Sequence, residues 1–467
     1  MGGLTLGVII GHRASFPEDI VTKHRGDVLR VLSELEIEPI LLDETATPFG
    51  ATRTWRDAQL CADLFRTHRE TIDGILITLP NFGDQKAVAD AIRLSGLTVP
   101  ILVHARPDRV DESSAERRGD AFCGKLSVCN NLSQYGLRFS LTTSHTVGVS
   151  TDQFRADLLR FGAICRVVNG MRSARFGVIG TRPNDFNTVR FSEKLFEAAG
   201  MSVQAIDLSE VIGKANRLSS NDARVAAKVD DIVAYADVMA APESSLERMA
   251  KLGVVIDEWT TELGIRATAI QCWRSLQENV GVNACLLMSM MTQQLLPSAC
   301  EADVAGAASM YALQLASNRP SALADLMNNY GDDPDRCTVF HCGNWPKEFL
   351  PSMRVGSADH LGSILGTDRT YGVTVGRAPA GPLTLARVST DDLRGKVKAY
   401  VAEGRFTDDP LDTFGAYGVV EIPGLQALLQ YVCRNGFEHH AAMSGSHVGD
   451  ILDEAMTTYL GWEVYRH

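Results

Sequence analysis

The chain has 467 residues, of which 45% are hydrophobic and 22% are charged, values that are ordinary for a soluble globular enzyme. A chain of this length is expected to form about two to four domains. The formal net charge of -12 argues against non-specific binding to nucleic acid, although a local cluster of arginines can still hold an anionic substrate.

No stretch of about 18 uninterrupted apolar residues occurs, so no membrane span is predicted. The N-terminal sequence MGGLTLGVIIGH lacks the basic region and the cleavage site of a signal peptide, and it is predicted to form the first strand. The ten cysteines are scattered and form no CxxC pair, which excludes zinc-ribbon spacing. Most of them lie in apolar context, which predicts buried, reduced thiols and a cytoplasmic protein.

The first part of the chain alternates short apolar runs with amphipathic segments. The runs LTLGVII, PILLD, GILITLP and PILVHA are predicted strands, and the segments 18–35, 55–69 and 85–94 are predicted helices. This alternation favours a parallel, doubly wound sheet, in which ligands bind at the carboxyl ends of the strands. The amide-rich stretch that follows, from 117 to about 170, is predicted to be a linker with one helix at 151–161.

A second α/β unit is predicted from Arg175, where the strand FGVIG precedes the loop TRPNDFNT. From 246 to 329 helical spacing dominates, and beyond Cys337 closely spaced Gly and Pro residues favour an antiparallel sheet or a small barrel. No GxGxxG fingerprint accompanies the strands, so no dinucleotide site is predicted. The predicted fold class is α/β, with two doubly wound parallel-sheet domains (1–170 and 171–265) and a C-terminal α+β domain (266–467).

Acidic residues bracket the uncharged segment ACLLMSMM: Glu278 lies before it, and Asp303, with Glu301 beside it, lies after it. His341 follows a predicted strand, and a tandem histidine pair occupies 439–440. Carboxylates combined with imidazoles suit a divalent cation such as Mn²⁺, with positions left open for substrate hydroxyls. These residues form a candidate metal site that can polarise a carbonyl and its neighbouring hydroxyl.

Each of these residues also has an ordinary structural interpretation. Glu278 fits a solvated helix position, and Asp303 fits the N-cap or the first turn of the helix EADVAGAASM. His341, between Phe340 and Cys342, fits a hydrogen-bonded core histidine. Spacing of this kind is a weak signal, so it motivates a metal site without establishing one.

Four segments resemble the L-fucose isomerase and L-arabinose isomerase superfamily, in particular its fucose isomerase-like branch: QCWRSLQENVGVNACLLMS, ACEADVAGAASM, FHCGNWP and NGFEHHAAM. The resemblance is most specific in the ranges 270–343 and 415–465. It implies two α/β domains followed by a C-terminal domain with an antiparallel barrel. It also implies an aldose–ketose isomerase that uses Mn²⁺, or another divalent ion such as Mg²⁺ or Co²⁺.

The resemblance implies a role for several residues. Glu278 and Asp303 match the family's acidic metal ligands, which also move the proton between C1 and C2 of the sugar through a cis-enediol. His440 matches the metal-binding histidine, and His439 is then a neighbour that contacts substrate. His341 falls where the arabinose isomerase branch has a further histidine ligand, which the fucose isomerase branch lacks.

Other residues are expected to contact the sugar. The segment CNNLSQYG resembles one that reaches the substrate from a neighbouring subunit, so the resemblance implies a trimer or hexamer with shared active sites and places Asn131 and Gln134 near the sugar. His12 and Arg13, in the first loop, occupy a comparable position. The loop residues that can meet the far end of the substrate are His12, Arg13, Arg106, Arg109, Arg182, Asn184 and Trp345.

Those arginines are compatible with an acidic substituent at C6, such as a sulfonate, because a guanidinium binds such a group bidentately. The alternative is that they are solvated or pair with the excess of acidic residues. The predicted substrate is therefore an open-chain hexose or pentose, either a deoxy sugar such as fucose or a sulfonated hexose. Two other functions remain open: a different metal-dependent sugar enzyme, such as an epimerase or an aldolase, and a non-enzymatic sugar-binding protein.

Overall fold

The N-terminal part of the chain contains five strands: β1 (Thr5–Ile10), β2 (Glu38–Ile40), β3 (Gly74–Leu79), β4 (Ile101–Ala105) and β5 (Ser140–Leu141). They form one parallel sheet, as predicted, and the strand order is β2-β1-β3-β4-β5. β3 and β4 are wholly buried, which explains why their sequences are continuous apolar runs. The helices of this part are α1 (Asp19–Glu34), α2 (Trp55–Thr67), α3 (Gln85–Ser95), α4 (Ala121–Gln134) and α5 (Asp152–Arg172).

The structure is a computed structural model that describes residues 3–108, 114, 118–238 and 241–467. It consists of two units, Met1–Asn169 with Thr458–Leu460, and Gly170–Thr457 with Gly461–His467. Tyr459 belongs to the first unit because its hydroxyl lies 2.8 Å from the hydroxyl of Ser140 and donates to the carbonyl of Ile101. Among the described residues, no helix combines the length and the apolar content needed to cross a membrane.

The stretch predicted as a linker is folded, so that prediction was wrong. It supplies α4, and it supplies β5, which extends the parallel sheet beside β4. The helix forms because Val128 and Leu132, one turn apart, are both buried. The amides of Asn131 and Gln134 therefore lie on the last turn of a helix rather than in a loop.

The second unit begins with four more strands: β6 (Arg175–Ile179), β7 (Ser202–Ile206), β8 (Ala267–Ile270) and β9 (Ser298–Ala299). They form a parallel sheet in the order β7-β6-β8-β9. β8 pairs with β6 although it lies beyond the predicted domain border at residue 265. The division of the chain into three domains stays a prediction. The helices here are α6 (Glu193–Ala198), α7 (Leu208–Arg217), α8 (Ala223–Tyr235), α9 (Glu243–Leu263), α10 (Ser275–Asn279), α11 (Cys285–Gln293) and α12 (Val304–Ser317).

The remaining strands of the second unit are β10 (Ser321–Asn329), β11 (Arg336–His341), β12 (Arg354–Ser357), β13 (Tyr371–Arg377), β14 (Gly381–Asp391), β15 (Lys396–Thr407), β16 (Ala416–Glu421), β17 (His440–Ser444) and β18 (Glu463–Arg466). They form a mixed sheet in the order β12-β13-β16-β11-β10-β17-β14-β15-β18. Residues 321–329, which were predicted to be helical, form β10 because β11 and β17 satisfy its backbone on both sides. The last helices are α13 (Asp359–Leu365), α14 (Leu425–Arg434) and α15 (Gly449–Glu454).

An additional pairing of β15 with β16 joins the ends of a run of antiparallel strands, β16, β11, β10, β17, β14 and β15. α12 packs against β10, β14 and β17 of this run. The helix is buried on every side from Val304 to Ala316, as expected for a segment without charged residues. Ser309 of α12 accepts a hydrogen bond of 2.8 Å from the backbone N–H of Val388, which fixes the helix to β14.

Candidate functional site

Three strands of the second unit bring acidic and imidazole side chains together. β10 lies between β11 and β17, and the register pairs Asp325 of β10 with His440 of β17. His341 ends β11, and its ring centre lies 5.5 Å from that of His440. The loop between β9 and α12 adds Glu301 and Asp303. These five residues are called the carboxylate–imidazole cluster below.

The two ring nitrogens of the buried His440 face different carboxylates. Nδ1 lies 2.9 Å from Oδ2 of Asp303, and because an ionised carboxylate only accepts, Nδ1 carries the proton in this bond. A neutral imidazole would then point the lone pair of Nε2 at two carboxylate oxygens, Oε2 of Glu301 at 3.1 Å and Oδ1 of Asp325 at 3.3 Å, which is unfavourable. Burial alone would lower the pKa of His440, but these carboxylates raise it well above its usual value. The arrangement requires a positive charge at Nε2, either a proton or a metal ion.

Asp303 accepts hydrogen bonds at all of its about four lone-pair positions. Arg387 donates from Nη1 to Oδ2 at 2.6 Å and from Nη2 to Oδ1 at 3.0 Å, and both side chains are fully buried. Oδ1 also accepts from the N–H of Gly306 at 2.8 Å, which makes Asp303 the N-cap of α12. Burial alone would raise the pKa of Asp303, but Arg387 and His440 hold it far below its usual range. Asp303 is therefore a permanent anion that orients His440.

Glu301 is buried and follows β9 in an unusual backbone conformation. Its φ is 61° and that of Ala302 is 56°, so two consecutive non-glycine residues occupy the left-handed region. Such residues cost on the order of 1–3 kcal/mol each and persist where the surrounding structure imposes them, often at functional sites. The backbone N–H of Glu301 contacts Sγ of Cys272 at 3.4 Å, which helps to hold this turn.

Three buried atoms of the cluster lack a hydrogen-bond partner within the described part of the chain: Oε2 of Glu301, Nε2 of His341 and Nε2 of His440. Each of these residues offers a ligand atom within 4.8 Å of the others, and Asp325, His439 and His440 form a second group of the same kind. Buried polar atoms are normally satisfied, so these atoms indicate a missing positive charge in the cluster, either a proton on Nε2 of His440 or a cation. Carboxylate oxygens with imidazole nitrogens fit a divalent cation of the Mn²⁺ type.

His341 is a weaker ligand candidate than its neighbours for a physical reason. Its Nδ1 accepts a hydrogen bond of 2.9 Å from the backbone N–H of Cys342. In the neutral ring this assigns the proton to Nε2, which makes that nitrogen a donor and not a ligand. In His440 the proton of the neutral ring would be on Nδ1, so Nε2 is the nitrogen that could bind a metal ion.

Two matches to known families cover more than half of the chain. Residues 7–172 match the N-terminal domain of fucose/sulfoquinovose isomerase, and residues 339–467 match the C-terminal domain of L-fucose isomerase. The chain belongs to the L-fucose isomerase-like family. The carboxylate–imidazole cluster draws His341 and His440 from the second matched region, and its acidic residues precede that region.

Relatives within this family carry the name sulfoquinovose isomerase. The protein from Alkalicoccus urumqiensis is 27% identical over 295 residues, which is 61% of this chain and 63% of that protein. The protein from Clostridium sp. (strain MSTE9) is 25% identical over 297 residues, which is 62% of this chain and 63% of that protein. The aligned part therefore spans less than two thirds of the length of these relatives.

A solved structure is similar only at a low level. A periplasmic solute binding protein of an ABC transporter from Actinobacillus succinogenes, with bound D-allose, is 11% identical and aligns over 68% of this chain and 92% of that chain, with a TM-score of 0.18. A TM-score this low supports no conclusion about the fold or the function of the present chain.

Glu278, which the family resemblance implies as a ligand, is exposed on α10 and belongs to neither group of ligand atoms among the described residues. A cavity of about 660 Å³ lies beside that helix, lined by Ser275 and Asn279 and by Gly180 and Gln271 at the ends of β6 and β8. This edge of a parallel sheet is where such folds bind ligands. Ligation by Glu278 stays a prediction.

Three other predicted substrate contacts in the second unit have different environments. His439 is 43% exposed in its side chain, and its Nε2 lies 3.1 Å from Oδ1 of Asp325. Asn184 is exposed, at the start of a 3-10 turn. Trp345 is fully buried and donates from Nε1 to the carbonyl of Leu323 at 2.7 Å. Its position is that of a core residue and gives the predicted sugar contact no support.

The predicted contacts in the first unit lie near the carboxyl end of its sheet or on α4. His12 is buried, and its Nδ1 lies 2.8 Å from the amide nitrogen of Asn81. Arg13 donates from Nε to a backbone carbonyl at 3.0 Å. Asn131 donates from its amide to a carbonyl one turn earlier at 3.1 Å, and Gln134 is exposed. Their contact with a sugar stays a prediction.

The candidate arginines differ in whether a carboxylate neutralises them. Arg106 forms an ion pair of 2.9 Å with Asp108. Arg182 donates to the backbone carbonyl of Pro183 at 3.0 Å. In the described part of the chain no carboxylate lies within ion-pair distance of Arg182, so its charge is available to an anion. Arg109 lies outside the described residues.

Sequence reasoning missed Asp325, Arg387 and Glu438. Arg387 is fully buried in β14, and its Nε donates to Oε2 of Glu438 at 3.1 Å. A charged residue in the apolar run GPLTLARVST needs buried partners, and that was the available signal. Asp325 was hidden because its segment has helical spacing.

Proposed function

We propose that this chain is a metal-dependent aldose–ketose isomerase. It would act on an open-chain hexose or pentose, such as fucose or a sulfonated hexose, and move a proton between C1 and C2. The observation that carries the proposal is the meeting of ligand atoms from Glu301 and His440, with His341 beside them, in one buried cluster. The names of the relatives support this reaction class and favour a sulfonated sugar.

The cluster fits a hard divalent cation, and we propose Mn²⁺, with Mg²⁺ or Co²⁺ as substitutes. Glu301 and His440 are the residues best placed to hold it, because each has a free ligand atom. The cation supplies positive charge that polarises the C–O groups at C1 and C2 of the sugar. Asp303 has no free lone pair unless Arg387 releases it, so its predicted ligation requires that rearrangement.

The residues of the chain would perform the proton transfer. A carboxylate, for which Glu301 is the buried candidate and Glu278 the exposed one, takes the proton from C2 of the aldose and returns it to C1. In the same conversion O2 loses a proton and O1 gains one, through the cis-enediol. Asp303 keeps the imidazole of His440 in one tautomer and one orientation, in the way that carboxylates position metal-binding histidines. Asp303 is thus proposed as a positioning residue.

The larger assembly is also a proposal. The run of antiparallel strands joined by the β15–β16 pairing would be the barrel that the family resemblance implies. Trimers or hexamers would bring His12, Asn131 and Gln134 of a neighbouring subunit to the sugar. Ten free cysteines favour a reducing compartment, so we propose the cytoplasm.

The test is an assay of EDTA-stripped protein, with and without Mn²⁺, on fucose, arabinose, rhamnose and sulfoquinovose in D₂O. We expect interconversion of an aldose and its ketose, dependent on the ion, with deuterium entering at C1 or C2. Inversion of one centre without a ketose indicates an epimerase, and shorter fragments indicate an aldolase. Tight binding without turnover or metal dependence indicates a sugar-binding protein. Each of these three results would overturn the proposal.

A further inference from the structure

A second group of potential ligands lies beside the carboxylate–imidazole cluster and consists of thiols. Cys285 begins α11, Cys300 follows β9 and Cys342 follows β11. Sγ of Cys342 lies 4.0 Å from Sγ of Cys285 and 4.0 Å from Sγ of Cys300. All three sulfur atoms lie within 4.8 Å of one another. They come from three separate elements, so CxxC spacing does not reveal them.

The spacing of these sulfur atoms fits a metal ion better than it fits a disulfide. In a tetrahedral site with Zn–S bonds of about 2.3 Å, neighbouring sulfurs are about 3.8 Å apart. A disulfide needs about 2.05 Å and can use only two of the three thiols. Sγ of Cys342 is equally far from the other two sulfur atoms, and a single ion bound by all three thiols would explain this arrangement.

His341 lies beside the thiols but is not a ligand of this group. Its Nδ1 lies 3.4 Å from Sγ of Cys342, but the one lone pair of that nitrogen already accepts a hydrogen bond from the backbone N–H of Cys342. The group of ligand atoms within 4.8 Å of one another contains the three cysteines and not His341. A zinc ion with three protein ligands keeps its fourth position for water.

We propose that Cys285, Cys300 and Cys342 bind a soft divalent cation of the Zn²⁺ type, with water in the fourth position. Binding would release the thiol protons to solvent. The thiol site would tie α11, β11 and the loop that carries Glu301 to one point.

The proposal rests on the positions of the sulfur atoms and does not depend on the isomerase activity. Thiolates select soft cations, whereas carboxylates and water suit Mn²⁺ or Mg²⁺, so the two neighbouring sites would differ in the ion they hold. Only Cys342 of the three thiols is partly exposed, which gives the ion a route of entry.

Co²⁺ tests the proposal because a cobalt–thiolate site has a charge-transfer band in the near ultraviolet that an oxygen and nitrogen site lacks. We expect reduced, metal-free full-length protein to develop this band with one equivalent of Co²⁺, and Zn²⁺ to abolish it. The band should be lost in Cys342→Ser and remain in Cys433→Ser, which alters an exposed thiol. It should also remain in Glu301→Gln, which separates the thiol site from the carboxylate–imidazole cluster.

X-ray absorption of the zinc-loaded wild-type protein is the second measurement, and it needs no variant to fold. We expect about three sulfur neighbours at about 2.3 Å. A zinc ion surrounded only by oxygen and nitrogen, or no thiolate band at saturating Co²⁺, would overturn the proposal. So would two of these cysteines isolated as a disulfide from protein prepared under reducing conditions.

Discussion

Nδ1 of His440 lies 2.9 Å from Oδ2 of Asp303, and this single contact determines which nitrogen of the imidazole is free. The proton stays on Nδ1, so Nε2 is the nitrogen that faces the carboxylates of Glu301 and Asp325, where it needs a second proton or a metal ion. Arg387 holds Asp303 in turn from β14. The chain Arg387–Asp303–His440 therefore orients one ligand nitrogen through two buried charges.

The ion pair between Arg387 and Asp303 should be essential for the stability of the second unit. Removing one partner of a fully buried pair leaves an uncompensated charge, which typically costs about 3–5 kcal/mol. We expect Asp303→Asn to lower the free energy of unfolding by about 3 kcal/mol, measured by urea denaturation at neutral pH. Asp333→Asn is the matched control, since Asp333 forms a partly exposed pair with Arg336 at 3.3 Å and should cost less than about 1 kcal/mol. Equal losses in the two variants would contradict this view.

Glu301 and Glu278 are rival carboxylates for the same chemistry, and matched substitutions separate them. We expect Glu301→Gln to fold normally, to bind Mn²⁺ more weakly and to lose turnover by about 100-fold or more, because it removes a free carboxylate oxygen from the cluster. Glu258→Gln, on an exposed helix position, is the control. Turnover and Mn²⁺ affinity are measured on the same preparations.

The turnover of Glu278→Gln then shows whether Glu278 has the role that the family resemblance implies for it. A loss as large as that of Glu301→Gln requires α10 to bring Glu278 to the cluster when substrate binds. Unchanged turnover would remove Glu278 from the site. Wild-type turnover and metal affinity in Glu301→Gln would instead show that the unpartnered oxygen has no part in the reaction.

The sequence allowed the parallel sheets to be predicted, because apolar runs are local signals, and the segments FHCGN and FEHH drew attention to His341 and His440, whose role as ligands stays a prediction. The carboxylate–imidazole cluster as a whole could not be predicted from the sequence. Asp325 reaches His440 only through strand pairing, and its segment has helical spacing. Arg387 meets Asp303, and Cys342 meets Cys285 and Cys300, across more than 40 residues of sequence, through contacts that depend on tertiary structure. Glu301 and Asp303 are two residues apart in the sequence, and their roles differ because Arg387 and the N–H of Gly306 bind Asp303 and leave Oε2 of Glu301 facing His440.

Arg182 should discriminate a sulfonated sugar from a deoxy sugar. Its guanidinium donates to a backbone carbonyl and has no carboxylate partner in the part of the chain that the structure describes. A hydrogen bond to a charged group contributes about 1.5–3 kcal/mol, so we expect Arg182→Leu to raise KM for sulfoquinovose by about 10-fold or more. KM for fucose should not change. Arg106→Leu is the control, because Asp108 already neutralises Arg106. Parallel changes in KM for both sugars would count against a sulfonate contact.

The first unit contains a buried relay that should make its stability depend on pH. Nε2 of His24 lies 2.6 Å from Oγ1 of Thr78, which lies 2.8 Å from Nδ1 of His104. Nε2 of His104 donates to the carbonyl of Val147 at 2.7 Å, so one set of neutral tautomers satisfies the relay. Burial lowers the pKa of His104 to about 4, and burial together with His104 lowers the pKa of His24 well below its usual value.

These shifts set the sign and the range of the effect. Above about pH 6.5 both histidines are neutral in the folded and the unfolded chain, so their contribution to stability is complete. As the pH falls from 6.5 towards about 4, the unfolded chain binds protons that the folded chain excludes, and His104 alone should lower the free energy of unfolding by about 3 kcal/mol. We expect thermal unfolding of the first unit to lose much of this pH dependence in His104→Gln and to keep it in His68→Gln. An unchanged pH profile in His104→Gln would show that the relay does not control acid stability.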